Sequence, residues 1–174
     1  MKSEKNLSAA FCAVTGAASI VILTLLDQYT KILALSGLKG QDSVVLIKGV
    51  LELKYLENRG IAFGMFQGKI PFFVILCIIF FGTVVYAFIR IPKKRYYLPL
   101  MLIGYILTAG ALGNFIDRVF RGFVVDFIYF SLIDFPIFNL ADIYVVVSGV
   151  LLVLFVCFKY KEEEFVFFNP KHKG

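Results

Sequence analysis

Charged residues and histidine are both scarce in this sequence. Asp, Glu, Lys and Arg make up 17% of the 174 residues and hydrophobic residues 60%, whereas soluble domains average about 25% charged and 45–50% apolar. A soluble single domain is therefore not expected. The one histidine, His172, lies near the C-terminus, so no H-E-x-x-H zinc site can form and no buried serine or cysteine has a histidine base nearby. If the chain is a hydrolase, carboxylates must carry its chemistry.

Cysteine is also rare, and the cations are scattered. Cys12, Cys77 and Cys157 all lie in apolar runs with no metal-like spacing, which argues against a disulfide scaffold or a zinc site. The formal net charge is +6, but the cations lie in the gaps between apolar runs, where they set membrane orientation. We therefore expect no nucleic-acid partner, no metal and no cofactor.

Four apolar runs are long enough to cross a membrane, since about 20 helical residues span roughly 30 Å of hydrocarbon. They cover residues 9–26, 71–89, 98–116 and 137–158. The connections between them leave no room for a separate soluble domain, so we predict one polytopic domain over residues 1–174. The first run resembles a signal peptide, but Asp27 and Lys31 interrupt the approach to a cleavage site, and a retained helix is expected.

The distribution of cations predicts the orientation of the chain. The densest short cationic loop, between the second and third runs, contains Arg90, Lys93, Lys94 and Arg95. The positive-inside rule places this loop in the cytoplasm, together with both termini. The tail, residues 159–174, is expected to be a solvated or interfacial end on the same side, and residues 37–70 and 117–136 then face outward.

The first outward segment contains a strand pattern. Leu51, Leu53 and Tyr55 alternate with the polar residues Glu52 and Lys54, which is typical of a strand with one apolar face. We predict an all-α membrane protein, a four-transmembrane-helix bundle, with a small extracytoplasmic β-sheet lying on the outer membrane face. An ordinary connecting hairpin would give the same alternation.

Ionisable residues at membrane depth need a partner or a function, because inserting one costs about 2.5–3.5 kcal/mol. Asp27 and Lys31 have the i, i+4 spacing of an ion pair within a helix, and structure alone could explain them. Asn114, Asp117 and Arg118 share one helical face at the end of the third run. Arg118 could form a helix-end salt bridge with Asp117 or steady a nearby acid.

Two further acids, Asp126 and Asp142, have no neighbouring cation in the sequence. Asp126 lies in an apolar stretch, and Asp142 lies about one and a half turns into the fourth run, on the same face as Asn139. Two aspartates in apolar surroundings can share one proton if they meet, as in an aspartic hydrolase. Alternatively, one of them binds a backbone donor and the other faces water.

A small transporter or channel subunit is the competing function class. In that case Asp27, Lys31, Asp126 and Asp142 would line an ion or proton path. Transporters of this kind are expected to contain broken helices or a repeated pair of interrupted spans, and the sequence contains neither pattern.

Five short motifs, taken in order, resemble those of the lipoprotein signal peptidase family, also called signal peptidase II. They are Asp27-Gln28-Tyr29-Thr30-Lys31, Asn58-Arg59-Gly60-Ile61-Ala62-Phe63-Gly64, Gly113-Asn114-Phe115-Ile116-Asp117-Arg118, Val125-Asp126-Phe127 and Phe138-Asn139-Leu140-Ala141-Asp142. No single motif is specific, but all five occur in order on a four-span chain of this length.

The resemblance implies a bacterial cell-membrane enzyme that removes the signal peptide of diacylglyceryl-modified prolipoproteins before the lipidated cysteine of the lipobox. It implies an active site at the outer face, contact with membrane lipids and inhibition by globomycin-type cyclic peptides; we expect the chain to act as a monomer. By position, Asp126 and Asp142 match the catalytic pair of the family. The residues that match its supporting positions are Asp27, Lys31, Asn58, Gly60, Asn114, Arg118, Asn139 and Ala141.

Overall fold

The computed structural model describes residues 6–60 and 70–168. Its helices are α1 (Ala9–Gly37), α2 (Ile70–Arg90), α3 (Leu98–Phe120) and α4 (Leu140–Phe158), and its strands are β1 (Val44–Ile47), β2 (Leu51–Asn58) and β3 (Val124–Tyr129). Short 3-10 segments lie at Arg95–Tyr97, Ser131–Ile133 and Glu162–Phe168. Within the described ranges, four helices are long and apolar enough to cross a membrane.

The three strands form an antiparallel sheet in the order β1-β2-β3. The predicted four-helix membrane bundle with a small sheet is thereby confirmed, while the side of the membrane that the sheet faces stays a prediction. Alternation in the sequence predicts β2 but not β3, in which Val124, Val125, Asp126 and Phe127 are all buried. Burial on both faces removes the alternation that reveals a strand.

Helix α3 is the centre of the bundle and packs against each of the other three helices. Small residues make this packing close. A Cβ atom at Gly110 would lie 2.6 Å from the carbonyl oxygen of Ala141, and one at Gly113 would collide with Asp27. Side chains larger than hydrogen at these two positions would push α4 or α1 away from α3.

Helix α4 begins later than predicted, and this corrects two expectations. Asn139 is not part of the helix but its N-cap, with extended backbone, and Asp142 lies in the first turn instead of one and a half turns inside. The amide oxygen of Asn139 accepts from the backbone N–H of Asp142 at 3.0 Å, and the Asp142 carboxylate accepts from the backbone N–H of Asn139 at 3.1 Å. This reciprocal capping box fixes the start of the helix.

The bundle has two dissimilar ends. We call the end where α1 and α3 finish, and which carries the sheet, the sheet end; there β3 packs against Ala34 of α1 and against Leu38, the C-cap of that helix. The opposite end, where α2 and α4 finish, is the tail end. Its core is an apolar and aromatic cluster that includes Cys12, Met101, Tyr105 and Tyr160.

The C-terminal segment (Glu162–Phe168) packs against this cluster but contains no buried residue, and its expected solvated or interfacial position stays a prediction. Phe165, Phe167 and Phe168 pack against the core of the tail end. The hydroxyl group of Tyr97 donates to the backbone oxygen of Glu164 at 2.9 Å. Alternating aromatic residues thus hold this segment on the bundle.

Candidate active site

Asp126 lies on β3 and is 1% exposed. Both of its carboxyl oxygens accept hydrogen bonds from asparagine amides: Oδ1 from Nδ2 of Asn139 at 2.6 Å, and Oδ2 from Nδ2 of Asn58 at 2.8 Å. Asn58 is the last residue of β2 and pairs with Val124 in the antiparallel register. The sheet therefore places the Asn58 amide directly beside the buried acid.

Asp142 is less buried and is held by two asparagines. Its Oδ2 accepts the capping bond from the backbone of Asn139, and its Oδ1 accepts from Nδ2 of Asn114 on α3 at 2.8 Å. Asn139 thus contacts both aspartates, through its side chain to Asp126 and through its backbone to Asp142. The two acids that had no partner in the sequence are joined by one residue.

The environments of the two acids differ. Burial, together with the nearby charge of Asp142, raises the pKa of Asp126 to about 7, although the amides of Asn58 and Asn139 act in the opposite direction. Asp126 therefore retains its proton in a pH range in which an ordinary aspartic acid is ionised.

A buried ammonium group supports this pair. Lys31 is 0% exposed, and its Nζ lies 3.0 Å from Oδ2 of Asp27 and 3.1 Å from Oδ2 of Asp117. It also donates to Oδ1 of Asn114 at 2.9 Å. Because an ammonium group can only donate, it forces the amide oxygen of Asn114 towards itself and the amide nitrogen towards Asp142.

The two acids that flank Lys31 hold the backbone beside each of the two candidate catalytic aspartates. Oδ1 of Asp27 accepts from the N–H of Ala141 at 2.9 Å, immediately before Asp142. Oδ2 of Asp117 accepts from the N–H of Val125 at 3.0 Å, immediately before Asp126. One ion cluster thus positions the backbone of both candidate catalytic residues.

Asp117 was interpreted from the sequence as a helix-end partner of Arg118, but the structure gives it other partners. Besides Lys31, it forms an ion pair with Arg121 and accepts from Nε2 of Gln28 at 3.2 Å. Arg121 in turn donates to Oε1 of Gln28 at 2.8 Å. The i, i+4 spacing of Asp117 and Arg121 was the available signal for this pair; Gln28 stood in the first motif, but no role was assigned to it.

Arg118 serves a different part of the site. Its guanidinium group donates to the backbone oxygen of Asn114 at 3.2 Å and to that of Gly60 at 3.5 Å, and it lies over the ring of Phe73, 5.0 Å from the ring centroid. The N–H of Gly60 donates to Oδ1 of Asn58 at 3.0 Å. These bonds tie the turn after β2 to α3.

The structure brings all ten residues selected from the sequence into one cluster at the sheet end. Residues 61–64, the remainder of the second motif, lie outside the described residues. Within the described part of the chain, no group of three or more His, Cys, Asp or Glu side chains is placed to hold a metal ion. A buried, protonated carboxyl beside a more exposed carboxylate is suited to acid–base activation of water.

Comparisons with known proteins agree with this arrangement. The family model described as signal peptidase (SPase) II matches residues 19–158. A lipoprotein signal peptidase of Fusobacterium nucleatum is 39% identical over 153 residues, which is 88% of this chain and 87% of that protein. One from Streptococcus thermophilus is 40% identical over 145 residues, covering 83% of this chain and 92% of the relative.

Solved structures show the same similarity. A bacterial membrane enzyme determined by the in meso method at 2.3 Å resolution superposes with a TM-score of 0.76 and 33% identity, covering 98% of both chains. A second such structure, at 1.9 Å resolution, gives a TM-score of 0.76 and 34% identity over 92% of this chain and 100% of the other.

Proposed function

The chain belongs to the signal peptidase II family and is a membrane protease, and from this premise we propose that it cleaves diacylglyceryl-modified prolipoproteins just before the lipidated cysteine of the lipobox, using Asp126 and Asp142 as a dyad. The observation that carries the proposal is the contact of Asn139 with both carboxyl groups. It joins two acids from separate elements, β3 and α4, in one hydrogen-bonded unit.

The two aspartates have different roles in the proposed mechanism. Asp142, whose two carboxyl oxygens each accept a hydrogen bond from a nitrogen donor, takes a proton from water. Asp126, protonated near neutral pH, donates a hydrogen bond to the oxygen of the scissile carbonyl. The hydroxide equivalent adds to the carbonyl carbon, and when the C–N bond breaks the leaving nitrogen takes the proton that Asp142 removed from water.

Asp27, Lys31, Asn58, Gly60, Asn114, Arg118, Asn139 and Ala141 are proposed as supporting residues that position the dyad or bind substrate backbone. Among them, Gly60 and Asn58 lie at the end of an antiparallel strand, where an extended peptide could approach. The support for this assignment is their shared network of buried and part-buried hydrogen bonds, in which each amide has a fixed orientation.

The position of the ion cluster along α1 supports a site at the membrane boundary. From Ala9, where the helix begins, Asp27 lies about 27 Å along the axis at 1.5 Å per residue, close to the roughly 30 Å thickness of the hydrocarbon. We place the dyad at the outer face of the bacterial cell membrane, with both termini in the cytoplasm. A monomer could then receive substrate laterally, with the acyl chains still in the bilayer.

The test is cleavage of a diacylglyceryl-modified prolipoprotein by the purified chain in lipid, with wild type beside Asp126→Asn and Asp142→Asn. We expect at least a 100-fold loss of turnover in each, because general acid–base catalysis contributes about 10²–10⁴-fold. Both variants should still bind the substrate, and a globomycin-type cyclic peptide should inhibit the wild type.

Asp134→Asn is the matched control. Asp134 is an exposed acid in the same segment with φ of 50°, a left-handed conformation that asparagine also adopts readily. Its turnover should equal that of the wild type. Unchanged turnover in Asp126→Asn or Asp142→Asn would remove that residue from the mechanism, and ion flux by the wild type without peptide product would favour the transporter class.

A further inference from the structure

An apolar cleft lies at the tail end, far from the aspartates. It has a volume of about 310 Å³ and is lined by α2, α3, α4 and the C-terminal segment. Residues that represent its walls are Phe88, Ile91, Leu100, Leu152, Phe165 and Phe168. The one hydroxyl group among the lining side chains, that of Tyr105, is already committed to the backbone oxygen of Cys12 at 2.8 Å. The cleft therefore offers no polar partner to a ligand.

The lining of the cleft indicates what it can hold. An apolar wall without a free hydrogen-bonding group suits a hydrocarbon chain, whereas an extended peptide would leave polar groups of its backbone unpaired there. Its walls, two helices that flank α3, also face the bilayer, since many neighbouring side chains of α2 and α4 are exposed and apolar.

The charges around this end favour an anionic headgroup. Six cations and three acids lie in the sequence that borders the cleft: Arg90, Lys93, Lys94, Arg95, Lys159 and Lys161 against Glu162, Glu163 and Glu164. The ammonium group of Lys93 lies 3.9 Å from the ring centroid of Phe88, a cleft residue, and Arg90 donates to the backbone oxygen of Phe167 at 2.7 Å. Basic pockets between transmembrane helices typically bind anionic lipid headgroups.

We propose that the cleft holds one acyl chain of an anionic phospholipid whose phosphate lies among these cations. The acyl chain fills the space between α2 and α4 and supplies the packing contacts that these two helices do not make with each other. A void there would leave the lining residues without contact partners. The bound lipid therefore stabilises α2 on the bundle.

Gly104 allows the cleft to be filled by a single substitution. It lines the cleft, and a Cβ atom at this position would meet nothing within 4 Å. Gly82 on α2 is the matched control, because a Cβ there also meets nothing and Gly82 does not line the cleft. Gly104→Leu fills the cleft, whereas Gly82→Leu adds the same side chain elsewhere.

The experiment measures thermal unfolding of the delipidated full chain in detergent with added palmitoyl-oleoyl phosphatidylglycerol or phosphatidylcholine. Phosphatidylglycerol should raise the Tm of wild type and Gly82→Leu by about 3–6 °C at tenfold the dissociation constant, and phosphatidylcholine by much less. Gly104→Leu should lose the phosphatidylglycerol-specific increase. Native mass spectrometry should show one retained phosphatidylglycerol in wild type and none in Gly104→Leu.

The charge requirement is tested with Arg95→Gln combined with Lys161→Gln, both exposed residues. This variant should show a smaller difference between the Tm increases with the two lipids than the wild type does, and an unchanged difference would contradict the charge requirement. Equal Tm increases for both lipids in wild type, or an undiminished increase in Gly104→Leu, would overturn the proposal. If the cleft holds a peptide instead of a lipid, Gly104→Leu should raise the KM for prolipoprotein, while its Tm increase with phosphatidylglycerol stays that of wild type. This outcome would also overturn the proposal. Because the lipid measurements do not depend on cleavage, their outcome is independent of whether the proposed dyad is correct.

Discussion

At the sheet end, the ammonium group of Lys31 contacts two carboxylates at 3.0 and 3.1 Å, and every partner is fully buried. At the tail end, by contrast, rings pack against rings: Tyr97 stacks on Tyr160 with centroids 5.8 Å apart and meets Phe167 edge-on at 5.4 Å. Ion pairs and hydrogen bonds are directional, whereas ring packing tolerates small shifts.

The difference follows from what each end has to position. The proposed chemistry needs two carboxyl groups at a fixed separation, and the bonds from Asp27 to Ala141 and from Asp117 to Val125 fix the backbone next to each. The tail end has no reacting groups to position, so a cleft can remain beside its aromatic rings.

Lys31→Met is the substitution that we expect to disrupt the sheet end most. Loss of the ammonium group leaves the buried carboxylate of Asp27 without an ion-pair partner and leaves Asp117 with Arg121 alone; breaking a buried pair of this kind costs about 3–5 kcal/mol. We expect a lower Tm in detergent and loss of prolipoprotein cleavage. Lys39→Met is the control: Lys39 pairs with Glu57 at 2.9 Å, but its side chain is 55% exposed, so stability and activity should hardly change. Equal effects of the two substitutions would contradict the role of the buried cluster.

The raised pKa of Asp126 gives the stability of the sheet end a pH dependence near neutral pH. The folded state holds a proton up to about pH 7, whereas the unfolded chain releases it near 4, so the free energy of unfolding should fall as pH rises between these values. The slope is at most about 1.4 kcal/mol per pH unit.

Asp126→Asn removes this proton exchange, so thermal unfolding of the two proteins can be compared from pH 4 to pH 8. The variant should gain stability relative to the wild type as pH rises. A difference in Tm that is constant across this range would mean that Asp126 is not titrating there.

Two glycines of the same helix, α3, allow close packing and open space to be compared directly. Gly110→Ala should destabilise the protein by about 1–3 kcal/mol, since its Cβ would press against the backbone oxygen of Ala141 and displace α4. Gly104→Ala meets nothing and should stabilise the helix by roughly 0.5–1 kcal/mol. Thermal unfolding of both variants should show shifts of opposite sign, and shifts of equal sign would mean that α4 is not packed as described.

The smallest expected effect is at the tail end. Tyr97→Phe removes the hydrogen bond to the backbone of Glu164 but keeps the ring, so the cost in unfolding free energy should be about 1 kcal/mol. Cleavage activity should be unchanged, because the substitution is at the opposite end from the aspartates. A loss of turnover at full stability would show that the two ends are coupled.

Local patterns in the sequence were sufficient for part of this structure. The apolar runs predicted the four helices, and the i, i+4 spacing of Asp27 and Lys31 predicted their ion pair, which forms at 3.0 Å. The order of the five motifs predicted the family. Each of these signals lies within one helix or one short stretch of chain, where spacing determines geometry.

Contacts between distant segments could not be predicted in the same way. Asp117 was assigned to its sequence neighbour Arg118, but it binds Lys31 on another helix and the backbone of β3. Asn139 was placed inside a helix because its surroundings are apolar, whereas its side chain caps that helix. The C-terminal segment gave no periodic signal, and its place was decided by aromatic partners far along the chain.

The contacts that link Lys31 to Asp126 and Asp142 also bear on the order in which the site is assembled during synthesis. A ribosome releases the N-terminal helix first, so the charged cluster of α1 enters the bilayer before either proposed catalytic residue has been made. Asp126 follows with β3, and Asp142 only with α4. A nascent chain therefore has no complete pair of proposed catalytic residues until its last span has been made.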